Sequence, residues 1–185
     1  MRTTAPTPPL DPEVSGALQG AFLAARAGDA DRLERLLDLG VPVDLRNEQG
    51  DALLMLAAYH GHAEAVRLLL RRGADPGLAN DRGQTPLAGA AFKGDARIAA
   101  LLLEGGASVD GAGPDGRTAL LFAAMFDRTE VLELLLARGA DPGRADASGT
   151  TALQAALAFG ASRAAALLRA RVAPPIGEQV KGRPD

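Results

Sequence analysis

The sequence predicts an all-α solenoid of five stacked helix-turn-helix units joined by β-hairpin-like loops, and three observations predict it. Gly50, Gly83, Gly116 and Gly149 are spaced by 33 residues, and Gly40, Gly73, Gly106 and Gly139 keep the same interval. Two leucine registers share that period: Leu36, Leu69, Leu102, Leu135 and Leu168 in one, and Leu54, Leu87, Leu120 and Leu153 in the other. The third observation is composition. The 185 residues include 22 Gly but only five Phe, one Tyr and no Trp. That is too much punctuation for an uninterrupted bundle and points to a thin core of Leu and Ala. Registers that agree independently on one period identify a repeat array, in which each unit buries its apolar face only against its neighbours.

The units follow in order within a repeat domain spanning 11–173. Residues 1–10, with three Pro and three Thr, are expected to be flexible. Asp11-Pro12-Glu13 makes a helix start. The first unit, about 11–46, carries Gln19, Arg26, Arg32, Glu34 and Arg35, which suit a capping repeat that meets water. The second, about 47–79, has Ala52-Leu53 where a capping pair would sit, so its first helix is expected to lack a side-chain cap. The third, about 80–112, is the clearest. Thr85 reads as an N-cap and Pro86 as the first helical residue, because proline lacks a donor that would be unpaired there anyway. A short helix runs to about Lys93, Gly94 turns the chain, and a second helix places Ile98, Leu101 and Leu102 on one buried face. Gly105 and Gly106 end it, and the stretch to Gly116 reads as an extended turn. In the fourth unit, about 113–145, Asp127 stands where Gly61, Gly94 and Gly160 stand elsewhere, so a softer joint is expected. The fifth, about 146–173, puts Arg169 in the place of Leu37, Leu70, Leu103 and Leu136, as a C-terminal cap should. Pro174-Pro175 then stops the helix, and 174–185 reads as a polar tail.

These residues resemble a known family, the ankyrin repeat. The period, Thr85-Pro86-Leu87 followed by Ala90-Ala91, Gly61-His62, the Leu68-Leu69-Leu70 run and Gly73-Ala74-Asp75 all match its pattern, over about residues 16–173. The match departs at one point. The His that follows Thr-Pro-Leu in the family is replaced by Met55, Ala88, Leu121 and Gln154, which puts that helix-start hydrogen-bond network in question.

Composition excludes several classes. Without Cys there is no disulfide framework, no thiolate zinc site and no Cys nucleophile, and the chain is expected to be cytoplasmic. A net charge of −3 argues against a nucleic-acid binder held by phosphate contacts. No apolar run reaches membrane-spanning length and the start has no secretory h-region, so neither membrane nor export is expected. Of the 20 basic residues all but Lys93 and Lys181 are Arg, which reads as the coding bias of a GC-rich, bacterial source. His60 and His62 are two residues apart, so they do not share a helix face as zinc-binding histidines do. Asp31, Glu34 and Asp38 read as a solvated helix side. No catalytic constellation emerges, and neither a cofactor nor a metal is expected.

The resemblance implies a concave face, lined by first helices and turn tips, that binds a protein partner. Its exposed positions are the pairs before each helix-to-helix turn: Tyr59-His60, Phe92-Lys93, Met125-Phe126 and Ala158-Phe159. Four of the six aromatic residues fall there. With helices ~8–10 Å apart they would form a stripe on the order of 30 Å long. Such residues are usual interface anchors; alternatively the rings lie against one another and close gaps between helices. Gln49, Asp51, Arg82, Gln84, Asp115 and Arg117 at the turn tips would add a polar rim that sets specificity, or are plain solvated loops. The expectation is a monomeric, non-catalytic protein-interaction module. A second reading, drawn from small bacterial relatives linked to catalase activity, is an accessory protein that delivers haem to an enzyme through His60.

Overall fold

A computed structural model describes residues 12–172. The expected N-terminal segment 1–10 and the polar tail 174–185 lie outside the described residues. Among the described residues ten helices run in chain order: α1 (Pro12–Ala27), α2 (Ala30–Asp38), α3 (Leu53–Tyr59), α4 (Ala63–Arg71), α5 (Pro86–Lys93), α6 (Ala96–Glu104), α7 (Ala119–Met125), α8 (Thr129–Ala137), α9 (Ala152–Ala158) and α10 (Ser162–Val172). Each odd helix packs on the even helix that follows it. The odd helices also pack on one another in sequence, as do the even ones, which makes a two-layered all-α solenoid. No helix among the described residues is long and apolar enough to cross a membrane.

Alanine sets the spacing within the odd layer. Ala24-Ala25, Ala57-Ala58, Ala90-Ala91 and Ala123-Ala124 are buried at the same register of α1, α3, α5 and α7. Their methyl groups let helix backbones approach closely, and there is no room there for a ring. Leucine fills the seam between layers. Leu69, Leu102, Leu135 and Leu168 are fully buried, each worth roughly 1.5–3 kcal/mol of apolar burial. The second-helix face expected of α6 is present: Ile98 and Leu102 are fully buried and Leu101 is half-buried.

The helix starts follow the sequence. Thr85, Thr118 and Thr151 each accept a hydrogen bond at Oγ1 from the backbone N–H three residues on, whereas Ala52 gives α3 no side-chain cap. The missing family His is partly replaced in α9. There Gln154 accepts from the Thr151 backbone N–H at 2.8 Å while its own N–H donates to the Thr151 hydroxyl, closing a capping box.

The loops between units project as fingers over residues 40–52, 73–85, 106–118 and 139–151. Single antiparallel bridges, Arg46 to Ala52, Ala112 to Thr118 and Ala145 to Thr151, close three of them. Asn47, Asn80 and Asp146 brace their tips, each accepting two backbone N–H groups at one side-chain oxygen over 2.8–3.1 Å. The third finger has Gly113 at this position, because a Cβ there would collide with the Gly83 carbonyl. The finger gives up the brace to lie close on its neighbour.

At the position expected to be a softer joint, Asp127 is tied to the next unit. Asp127 does adopt a left-handed conformation at φ 53°, alone in this among the described non-glycine residues. Its carboxylate, however, reaches into the next unit. Oδ1 accepts the Ala164 N–H at 2.8 Å and Oδ2 accepts the Arg163 Nε–H at 2.8 Å. Ala164 lies in the first turn of α10, whose own leading residue Ala161 has no side chain to cap with. Asp127 supplies the missing cap from the preceding unit.

Candidate partner-binding face

The register delivers one ring-bearing pair each from the ends of α3, α5, α7 and α9, and Arg26-Ala27 from the end of α1. Tyr59 and Phe92 stack with centroids 6.1 Å apart and planes 13° from parallel. Phe92 meets Phe126 edge-on at 4.6 Å, and Phe126 meets Phe159 at 6.2 Å. The sequence offered an exposed stripe or rings closed on one another, and the structure combines them. Phe92, Met125 and Phe126 are half-buried, with the two Phe rings packed on the core, while Tyr59 is 39% and Phe159 61% exposed. Steps of 6.1, 4.6 and 6.2 Å limit the ladder to about 17 Å, so the expected length near 30 Å is corrected. Apolar rings lean together across the helix spacing because contact removes more of their surface from water.

The polar residues of the pairs join the ladder. Lys93 places its Nζ 5.1 Å from the Tyr59 centroid, a cation–π contact. The His60 ring meets Tyr59 edge-on at 5.5 Å and stacks on His62 at 6.2 Å. Burial lowers the pKa of His60, and the neighbouring His62, Arg26 and Lys93 lower it further. The His62 Nε2–H donates to the Arg26 carbonyl at 2.8 Å, which ties α4 to the end of α1. The two rings therefore stack, and one is engaged by backbone; they do not converge on a common axial position.

The expected rim residues divide. Arg82 is exposed, and it forms no ion pair among the described residues. Gln49 is exposed, though its carbonyl accepts the Asp81 N–H at 3.2 Å. Asp51 accepts from the Asn80 amide at 2.8 Å, and the Gln84 side chain accepts from the same nitrogen at 3.3 Å. Arg117 sits 3.6 Å from Asp115 and 3.8 Å from Asp146, so these charges link adjacent fingers. Hydrogen bonds from the Ser148 hydroxyl and the Thr150 N–H hold the Asp146 carboxyl below the usual carboxylate range. Further out, Glu34 and Asp38 receive both ends of the Arg72 guanidinium at 3.0 and 2.7 Å, so this helix side is a staple between α2 and α4, not merely solvated.

A pocket of about 450 Å³ gathers six of the expected residues: Asp51, Tyr59, His60, Arg82, Gln84 and Phe92. Its remaining walls, Arg26, Met55, Leu56, Asn80 and Gly89, are not among the binding residues expected from the sequence. A signal for two of them existed. In the 33-residue register Gly89 aligns with Leu23, Leu56, Phe122 and Ala155, a glycine inside a helix where other units carry side chains. Arg26 likewise heads the column that continues as Tyr59, Phe92 and Met125.

Comparison with known proteins follows the same geometry. A model of ankyrin repeats in three copies matches residues 21–112, and a model of ankyrin repeats in many copies matches 90–136 and 120–169. An ankyrin repeat protein of Pseudomonas aeruginosa is 55% identical over 54 residues, 29% of this chain and 32% of that protein. The match thus spans about a third of the relative's length.

Proposed function

The chain belongs to the ankyrin-repeat family, whose repeats are generally protein–protein interaction modules, and from that premise we propose that it binds a protein partner along its concave face and loop tips. The aromatic ladder carries the reading. Rings in continuous contact, anchored at Phe92 and Phe126 and open at Tyr59 and Phe159, give a rigid apolar strip that loses little entropy on binding. Arg82 and Gln49 at the finger tips would then select the partner by charge and hydrogen bonding. Ankyrin-repeat proteins are typically non-catalytic, and the same is inferred for this chain.

The test is affinity capture from the native lysate with the wild type and a Tyr59→Ala/Phe159→Asp variant. Both side chains are exposed enough to leave the core intact, and circular dichroism confirms folding first. A partner enriched by the wild type and lost from the variant supports the reading. Equal recovery by both overturns it.

A further inference from the structure

We propose that the pocket over Gly89 receives an aromatic or branched aliphatic side chain from a partner segment that carries carboxylates beside it. This rests on the concave-face reading and names the chemistry of the partner at that face.

One residue keeps the floor of this pocket low. Gly89 sits inside α5, where glycine is disfavoured against alanine because its backbone loses more freedom on ordering. Crowding there is mild and comes from side-chain atoms alone. A Cβ there would meet only the flexible Met55 sulfur at 3.3 Å and a Tyr59 ring carbon at 3.8 Å. What glycine provides is space. Met55, Leu56 and the stacked pair Tyr59–Phe92 form the apolar part of a hollow whose other walls, Arg26, Asp51, Asn80, Arg82 and Gln84, are polar. At about 450 Å³ it lies within the range of small-ligand clefts and exceeds a single side chain, so it holds an anchor and part of its neighbours.

The rim decides the sign of the flanking charge. Arg26 on α1 and Arg82 on the second finger line the pocket, and neither pairs with a carboxylate among the described residues. The one carboxylate of the lining, Asp51, is already bonded by the Asn80 amide. A partner's cation also finds the Tyr59 ring taken by Lys93. The pocket therefore presents two open guanidinium forks on a chain whose net charge is −3. Guanidinium binds carboxylate through paired, charge-assisted hydrogen bonds. Arg26 also lines a second hollow of about 420 Å³ with Phe22, Leu23, Arg46 and Glu48, so the two hollows share one wall.

The test titrates capped pentapeptides into the ¹⁵N-labelled full chain and reads backbone amide shifts. The probes are Glu-Asp-Phe-Asp-Glu, its Phe-to-Ala analogue and Lys-Lys-Phe-Lys-Lys. The acidic Phe peptide is expected to shift the amides of Tyr59, Arg82 and Gly89 and to bind at least about tenfold more tightly than the other two. Gly89→Leu, which fills the hollow, should weaken it by a similar factor, and Arg82→Glu should turn the preference toward the lysine peptide. Equal binding of the Ala analogue, shifts centred elsewhere, no saturable binding, or a folded Gly89→Leu protein that binds as wild type each overturns the proposal. If Gly89→Leu fails to fold, the exposed Arg82→Glu variant decides. In the capture experiment, a partner kept by Gly89→Leu but lost from Tyr59→Ala/Phe159→Asp overturns the pocket and leaves the concave-face reading standing. A partner kept by both overturns the reading itself.

Discussion

Asp127 and Gly89 depart from their repeat positions, and each departure is explained by what the neighbouring unit needs. At Asp127 the left-handed backbone carries strain that glycine would avoid, of order 1–2 kcal/mol. The carboxylate offsets this by capping α10. Asp127→Gly therefore exchanges relief of strain for loss of the cap, while Asp127→Ala keeps the strain and loses the cap. The expected order of thermal stability is wild type first, Asp127→Gly next and Asp127→Ala last, with the final variant about 1–2 kcal/mol below wild type. Denaturant melts of the three proteins check it. The same contacts set a pH dependence. The Arg163 guanidinium, followed by the Ala164 N–H, holds the Asp127 carboxyl below its usual range, and Asp146 is held low by Ser148 and Thr150. A carboxyl depressed on folding contributes stability that is present above the unfolded pKa and lost as pH falls through the folded one. Melting temperature should thus drop below roughly pH 4, and Asp127→Asn should flatten that drop. Gly89→Ala should raise stability by up to about 1 kcal/mol, since Met55 can shift to admit a methyl group. A fall would show that the helix needs its glycine for packing.

At the scale of the element, the starts of the even helices show how one register position does two jobs. Asp29 and Asp95 accept from the N–H groups of their own helices, α2 and α6. His62 and Arg128, at the same register, reach back to the preceding unit: His62 donates to the Arg26 carbonyl and Arg128 Nε–H donates to the Phe92 carbonyl at 3.1 Å. A short acceptor caps its own helix, whereas a long donor satisfies the open carbonyls at the end of the neighbouring odd helix. The odd-helix starts are simpler. Of α3, α5, α7 and α9, only α3 lacks the side-chain cap that Thr85, Thr118 and Thr151 supply to the other three. Ala52 is buried like Thr85 and Thr118. Ala52→Thr should accordingly stabilise the chain by about 1 kcal/mol, read as a shift in denaturant midpoint at constant slope.

Across the whole molecule, each unit is held by its neighbours, so stability is a sum of local and interface contributions. Inner helices are covered on both sides. Among the described residues the terminal ones are covered on one side, and in α9 Leu157 is 50% exposed at the register where Ala58, Ala91 and Ala124 are buried. Native-state hydrogen exchange should therefore show slow amides in α5 and α6 and faster exchange in α1, α2, α9 and α10. Leu102→Ala, in the middle of the interlayer seam, should cost about 2–5 kcal/mol, more than Leu168→Ala at the end, where the chain can relax into space. Equal penalties would argue for a single cooperative globule.

The 33-residue repeat specifies the architecture, because a two-helix unit of this size cannot bury its own apolar face. Thr85-Pro86 marked a helix start, Gly94 a turn and Leu102 the buried seam, all from local chemistry that recurs at one period. It also located the aromatic pairs and the finger tips, since register positions translate directly into faces. The contacts between units emerge only on folding, because they join residues about 33 apart whose pairing no local rule specifies. Phe92 turned onto Phe126 and shortened the expected stripe. Asp127 became a brace because Ala164 lay within reach. Gly89, one glycine among 22, became the floor of a pocket only once Tyr59 and Arg82 were placed around it. Side chains that answer to a repeat are legible one unit at a time, whereas cavities form between units, where shape depends on which neighbour fails to fill the space.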